Sequence, residues 1–389
     1  MDCDVIIVGG GLVGASFALA LRSARLRVAL VEAQAPGLHP QDASWDQRIY
    51  AISPGSAAFL ENLGVWQRLD AARICRVEDM RVFGDDAESE LDFSAYETGL
   101  RELAFIVENR ALQRAAWEAL QAEPHVERIV PANCGTLALT AEAAELSLTN
   151  GRKLRAQLIV GADGADSWVR AQAQIETLLR PYHQSAVVAN FTTAQPHRGT
   201  AFQWFRRDGV LALLPLPGER VSMVWSTTEA HAAQLLALAP AALAAEVAAA
   251  SHHTLGALQV LTPAAVFPLR LQRARQFVAP RFALVGDAAH SVHPLAGQGV
   301  NLGFRDAREL AQVLAQRGAQ NDCGDYHLLR RYERARREDV LATQLTTDTL
   351  QRLFNRGPHG WLAGARNFGL RLTNRGARLK SLLVRHAVE

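Results

Sequence analysis

A chain of 389 residues with 49% hydrophobic composition can bury a large core and is long enough for two domains. Its formal net charge of +2 argues against a nucleic-acid partner. Its four cysteines show neither Cys-x-x-Cys nor metal-ligand spacing, which suits a reducing compartment and excludes a dithiol reductase.

The chain opens on an apolar strand from Asp4, the turn Gly9-Gly-Gly11-Leu12-Val13-Gly14 and an Ala/Leu-rich helix to about Ser23. A signal peptide is a poor reading of this start, because Asp2 and Asp4 stand where basic residues belong and glycines interrupt the apolar core. Gly9 permits a tight turn, Gly11 lets the backbone approach a pyrophosphate, and Gly14 lets the helix pack on the sheet. The helix N-terminus offers unpaired N–H groups and partial positive charge to the phosphates. The next strand, Arg27 to Glu32, ends in an acid about 20 residues past the glycines, where a ribose hydroxyl is expected, with Ala33 beside it. An acid there suits an unphosphorylated ribose, so the expected ligand is the ADP half of FAD or NAD, not NADP.

Helices are expected near Ser53–Leu63 and over Asn109–Gln121, then short strands and the strand Gln157–Asp163. Asp163-Gly164, Asp166 and Arg170 follow that strand, and small residues with two carboxylates there suit a crevice beside a nucleotide. Asp163 could equally cap the following turn. Between residues 179 and 274 the texture changes to β-rich runs bounded by Gly and Pro: Ser185–Thr193, Thr200–Arg206, Val210–Pro215 and Arg220–Thr227. Val82–Phe93 looks similar. The Ala/Leu stretch Leu235–Ala250 is broken by Pro240 and Glu246, so it is no membrane span.

A second nucleotide-type segment begins at the strand Phe282-Ala-Leu-Val-Gly286. Asp287 sits at its end, a natural place to accept ribityl hydroxyls. The Gly-rich turn through Pro294, Gly297, Gly299, Val300 and Asn301 opens a helix whose dipole suits the N1–C2=O edge of a flavin. His290 and His293 lack a third or fourth ligand nearby, so neither metal binding nor catalysis is assigned to them. From Asp325 onward the pattern is helical and Arg-rich. Residues 330–389 hold thirteen Arg or Lys against five acids, a local net charge of +8, with leucines and aromatics interleaved. Such a segment can lie on an anionic membrane or pack on the domain with a solvated basic face.

With these segments in view, the chain resembles the class A flavoprotein monooxygenases, the p-hydroxybenzoate hydroxylase-like group. The match comprises Gly9/Gly11/Gly14 with Glu32, Asp163-Gly164 with Arg170, and Gly286-Asp287. Within that group it is most similar to the ubiquinone-biosynthesis hydroxylases, through Asp46–Ser53, Val107–Gln113 and His293–Asp306. The resemblance implies an α/β fold: a Rossmann-like FAD-binding domain, an inserted, mainly antiparallel β-sheet domain for substrate, and a helical C-terminal segment. The expected division is 1–72, 100–178 and 275–345 for FAD, 73–99 and 179–274 for substrate, and 346–389 for the basic segment. It also implies that Asp163 and Arg170 serve both FAD and transient NAD(P)H contact, and that Arg48 and Asn109 lie near the flavin.

The implied reaction is hydroxylation of a polyprenyl phenol in ubiquinone biosynthesis through a C4a-hydroperoxyflavin, with FAD as cofactor and NAD(P)H and O2 as co-substrates. No side chain is assigned as catalytic, since the cofactor performs the hard step and the protein positions the ring and excludes water. Phe202, Trp204, Leu211, Leu213, Pro215 and Trp225 are candidate substrate lining, although their alternation also suits plain sheet core. The expected setting is the cytoplasm or the inner face of the membrane as a peripheral protein, and a homo-oligomer and a quinone-biosynthesis complex are the assemblies left open. A flavin halogenase is excluded: Lys153 and Lys380, the only lysines, sit in the wrong contexts, and Trp-x-Trp-x-Ile-Pro is missing. A plain NAD dehydrogenase leaves the Gly286-Asp287 and Gly297-Gln-Gly299 segments unexplained. A prenyl reductase and a non-catalytic flavoprotein subunit remain as alternatives.

Overall fold

The computed structural model describes residues 1–355 except 36, 38–43, 85–89, 207–208, 293–298 and 319–320, with the helical backbone alone over 346–355. Four strands with continuous apolar runs make the heart of a six-stranded sheet. In spatial order the strands are Val278–Ala279, Phe282–Leu284, Leu158–Gly161, Val5–Val8, Val28–Val31 and Val126–Ile129. All neighbours are parallel except the Val278–Ala279 edge. Val5–Val8, Val28–Val31, Leu158–Gly161 and Phe282–Leu284 are buried throughout, which is why they read as unbroken Val/Ile/Leu runs and not as alternation. The register sets Val8 beside Gly161 and Gly161 beside Leu284. Three segments distant in sequence therefore end side by side at one sheet edge, where a crevice for a ligand forms in open parallel sheets.

A nine-stranded sheet runs in the order His290–Ser291, Ala265–Ala274, Thr177–Thr193, Arg220–Thr228, Gly209–Leu216, Thr200–Arg206, Asp79–Phe83 and Glu90–Ser94, with Leu258–Val260 pairing on Thr177–Thr193. Its pairings are antiparallel apart from Thr200–Arg206 with Asp79–Phe83. The sequence reading begins its long strand at Ser185; the observed strand starts at Thr177. A register shift between Pro181 and Gln184 accommodates the proline within the strand.

The broken Ala/Leu run forms two helices, Glu229–Ala237 and Pro240–Ala250. Thr228 caps the first, accepting from the His231 N–H, and Pro240 occupies the first turn of the second, where its missing N–H costs nothing. Both helices lie on one face of the nine-stranded sheet. The opposite face packs against a small sheet of Ile49–Ile52, Ala104–Glu108 and Cys75–Val77. Among the described residues no helix is long and apolar enough to cross a membrane.

Candidate active site

The first wall of the crevice is the turn after Val5–Val8. Gly9 has φ +104°, and a Cβ there would lie 2.4 Å from the Ala162 carbonyl oxygen. A Cβ on Gly14 would lie 1.9 Å from the Gly9 oxygen, so the Leu12–Ala20 helix rests directly on the turn. A Cβ on Gly11, by contrast, meets nothing within 4 Å. That helix has no side-chain cap and no acid in its first turn, so its leading N–H groups face open space beside Gly11. Glu32 accepts from the Gly10 N–H at 2.5 Å and from the Gln34 N–H at 3.1 Å, which holds its carboxylate against the glycine loop. Trp117 donates its indole N–H to the Gly10 oxygen at 2.8 Å, a buttress that no motif announced. Leu12 and Val13 are half-buried at the helix start, and Ala33 is exposed just past Glu32.

The second wall follows Leu158–Gly161. Asp163 Oδ2 accepts from the Val169 N–H at 3.1 Å, so it does cap the turn, while its buried Oδ1 has no partner among the described residues. Arg170 donates to the Ala165 oxygen at 2.9 Å and the Ala288 oxygen at 2.8 Å. It thus stitches the second wall to the third, and Gln272 adds a bond to Ala165 at 2.7 Å.

The third wall is the Gly286–Ala288 turn. Asp287 is exposed at the strand's end, yet neighbouring protein desolvates its carboxyl and pushes it up from its ordinary value, against the pull of His290 and Arg48. Tyr50 also stands within electrostatic reach of Asp287, its phenol pushed by burial to about 12, with the Arg48 guanidinium 5.4 Å over its ring. Gly286 and Gly303 both press on Val13: a Cβ on either would meet the valine at 3.2 or 2.5 Å. The Gly299–Ala315 helix begins here, with Val300 half-buried. Asn301 is buried and bonded on both sides, accepting from the Ser53 N–H (3.0 Å) and donating to the Ala51 oxygen (2.9 Å). Its side chain locks this helix to the Ile49–Ile52 strand. Pro294 and Gly297 lie outside the described residues.

Arg48 and Asn109 come together through a shared scaffold. Asp46 accepts from the Arg48 and Arg110 N–H groups (3.0 and 2.8 Å), and Asn109 donates its N–H to the Arg48 oxygen (2.9 Å). Buried Glu108 accepts from the Asp46 N–H at 2.7 Å and from Arg73 at 2.6 Å. A cleft of about 450 Å³ borders this scaffold, lined among others by Trp45, Asp46, Asn109, Arg110 and Thr262. Among the described residues no group of His, Cys, Asp or Glu could hold a metal ion.

The candidate substrate lining needs correction. Phe202, Trp204, Leu211, Leu213 and Trp225 are buried in the core beneath the two helices, and Pro215, paired with Val221, points the same way. Their alternation was genuine, but it marks the covered side of the sheet. The side facing Asp46–Ile52 carries Ala186, Val188, Asn190, Ala212, Leu214, Ser222 and Val224, by strict alternation with the core residues. Asn190 donates from this side to the Asp46 oxygen at 2.8 Å, and Leu214 packs with Ile49 and Ala51. Ala212 and its register partner Val224 are half-exposed in mid-sheet. The Asn190 Oδ1 and Ser222 Oγ, on paired positions, are buried without a hydrogen-bond partner among the described residues.

These features fit a dinucleotide: an open cradle at Gly11, an acid at the second strand end, and an exposed acid at the third. The comparisons agree. The profile of a family described as FAD binding domain matches residues 2–347. The chain is 36% identical to the 3-demethoxyubiquinol 3-hydroxylase of Escherichia coli, over 99% of this chain and 98% of the relative. It is 32% identical to the mitochondrial ubiquinone biosynthesis monooxygenase COQ6 of Homo sapiens, over 99% and 92%. In fold it is similar to p-nitrophenol 4-monooxygenase PnpA from Pseudomonas putida, with a TM-score of 0.79, 19% identity, and 99% and 98% of the two chains covered.

Proposed function

We propose that this chain, which belongs to the FAD-binding domain family and to its ubiquinone-biosynthesis hydroxylases, hydroxylates the aromatic ring of a polyprenyl phenol on the route to ubiquinone. It is an FAD-dependent monooxygenase with NAD(P)H and O2 as co-substrates. The observation that carries the reading is the meeting, at one sheet edge, of the turns after Val8, Gly161 and Leu284, in a chain so similar to hydroxylases of this class.

FAD supplies the oxygen-transfer chemistry, so the side chains bind, orient and shield. The Gly9–Gly14 loop and the helix behind it hold the pyrophosphate, with Leu12 and Val13 in that loop. Glu32 and Ala33 meet the adenosine ribose, and Asp287 meets the ribityl chain. Asp163, Arg170 and Gly286 shape the floor between them. Arg48, Asn109 and the start of the Gly299–Ala315 helix, with Val300 and Asn301, border the ring. The phenol lies on the open sheet face, its ring on Ala186, Val188, Ala212 and Val224. The partnerless Asn190 and Ser222 oxygens are placed to meet the ring's polar substituents, since a buried polar atom left unpaired costs about 1–3 kcal/mol until a ligand satisfies it. Small side chains there leave room for a ring, and an apolar wall excludes water from it.

Deleting the gene and measuring quinone intermediates by mass spectrometry tests the reading. One under-hydroxylated polyprenyl phenol should accumulate; an unaltered quinone profile would remove the assignment.

The basic segment 346–389 is part of the same proposal, as the contact with a bilayer that holds the substrate. A chain ending at residue 355 should lose co-sedimentation with vesicles containing anionic lipid while the full chain binds. Equal binding by both would assign the segment to packing on the domain.

A further inference from the structure

Behind the Gly286–Asp287 turn lies a buried charge cluster to which the proposed reaction gives no part. Asp306, in the Gly299–Ala315 helix, is fully buried. Its Oδ2 accepts from the Gly286 N–H at 2.9 Å and from His290 Nε2 at 2.7 Å, and its Oδ1 accepts from Arg336 Nε at 2.7 Å. A carboxylate only accepts, so the His290 proton on this side sits on Nε2. Arg336, on the Tyr326–Asn355 helix, continues to Asp339 at 2.6 Å, where Arg305 joins at 3.3 Å. Burial alone would push the Asp306 carboxyl up; His290 and Arg336 more than offset this and hold it below the ordinary carboxylate range.

A buried ion cluster is seldom the cheapest way to stabilise a core, because desolvation cancels much of the attraction and apolar replacements often serve as well. What distinguishes this one is its contact with the Gly286 peptide. Gly286 has φ +61° and is pressed against Val13, so the turn has little room to rotate. The peptides around it are pinned in turn: Ala288 by Arg170, Ala289 by the Ala274 N–H, and Leu284 by the Tyr332 hydroxyl. Asp306 is the side chain that fixes the Gly286 N–H itself. The next residue is Asp287, open to the crevice.

We infer that Asp306 is a positioning residue for FAD: it fixes the Gly286 peptide and hence the direction in which Asp287 presents its carboxylate, and through Arg336 it ties that geometry to the last helix. The inference rests on the flavin reading above. It makes the Tyr326–Asn355 helix part of the cofactor site without touching the cofactor.

The test measures FAD dissociation constants of the apoprotein by flavin fluorescence, with apoprotein melting temperature beside them. Wild-type apoprotein that fails to bind FAD would sink the flavin reading, a result separate from those of the variants. Asp306→Ala alone leaves Arg336 buried without its main partner and is expected to unfold readily, so it is paired with Arg336→Met. The double variant should melt near the wild-type apoprotein yet bind FAD on the order of 30-fold more weakly, its Gly286 N–H having lost its acceptor. Wild-type affinity in that variant would overturn the inference. Asp306→Asn supplies a second reading if the double variant does not fold, because an amide cannot accept from both sides as the carboxylate does. It should weaken FAD binding about tenfold, and unchanged binding rejects the role. Asp287→Ala closes a cycle: in that background Asp306→Asn should add less than about threefold, since its effect runs through Asp287. Full additivity of the two would show that Asp306 does not act through Asp287.

Discussion

A Gly11→Val protein should fold, purify and be colourless. Gly11 has extended backbone angles that any residue adopts, and an added Cβ meets nothing within 4 Å, so the folded apoprotein loses at most a modest N-cap preference by the change. The branched side chain then occupies the space into which the leading N–H groups of the Leu12–Ala20 helix face, where a pyrophosphate must approach the backbone. The expected loss of FAD affinity is on the order of 100-fold or more, about 2.7 kcal/mol, with an apoprotein melting temperature within a degree or two of wild type. Gly14→Val offers the contrast. Its Cβ would collide with the Gly9 oxygen at 1.9 Å, so that variant should lose stability along with the flavin. Titration of both apoproteins with FAD, followed by flavin fluorescence and thermal melting, separates the two effects. A yellow Gly11→Val protein with wild-type affinity would remove the cradle from this turn.

Two adjacent residues on one strand should behave oppositely. Leu211 lies in the core under the helices and Ala212 on the open face. Leu211→Ala should cost about 2–5 kcal/mol of stability and leave turnover per folded molecule nearly intact. Ala212→Phe should leave stability within about 1 kcal/mol and lower kcat/KM for hydroxylation on the order of 100-fold, because the ring's place on the sheet is filled. NAD(P)H consumption would continue with hydrogen peroxide as its product, since displacing the phenol lets water reach the flavin. Product formation, peroxide release and melting curves on both proteins check the pair. A normal product yield from Ala212→Phe would place the substrate elsewhere.

What the sequence makes legible follows from how each strand is covered. The Val5–Val8, Leu158–Gly161 and Phe282–Leu284 strands were legible because both of their faces are covered, which demands unbroken apolar runs ending in small residues. The four β runs between 185 and 227 were legible because period-two alternation is a strong signal. Alternation identifies two faces but does not say which one a helix will cover, so Trp204 and Trp225 suited both substrate lining and sheet core in the sequence, and the structure places them in the core. The information was in the Leu235–Ala250 stretch, whose buried apolar residues are part of the lid of that core, but that stretch registered only as an interrupted span. Trp117 and Gln272 escaped for another reason, and Asp306 was legible only as the end of a family motif, without its partner. Each acts through a backbone group more than a dozen residues away, and no local spacing announces such a partner. Asn301 sits between these cases: its motif pointed to the ring, while its side chain proves to be a clamp on Ala51 and Ser53.

The strand order of the six-stranded sheet has a bearing on how the chain is made. Leu158–Gly161 has Val5–Val8 on one side and Phe282–Leu284 on the other, so until residue 284 has left the ribosome a fully apolar strand stands at an unpaired edge. Most of the second sheet, from Thr177 to Ala274, is synthesised during that wait and can close on itself under its own two helices. The nascent protein thus completes the later-starting unit first, and the interval before closure is when it is most open to misassembly or to capture by a chaperone.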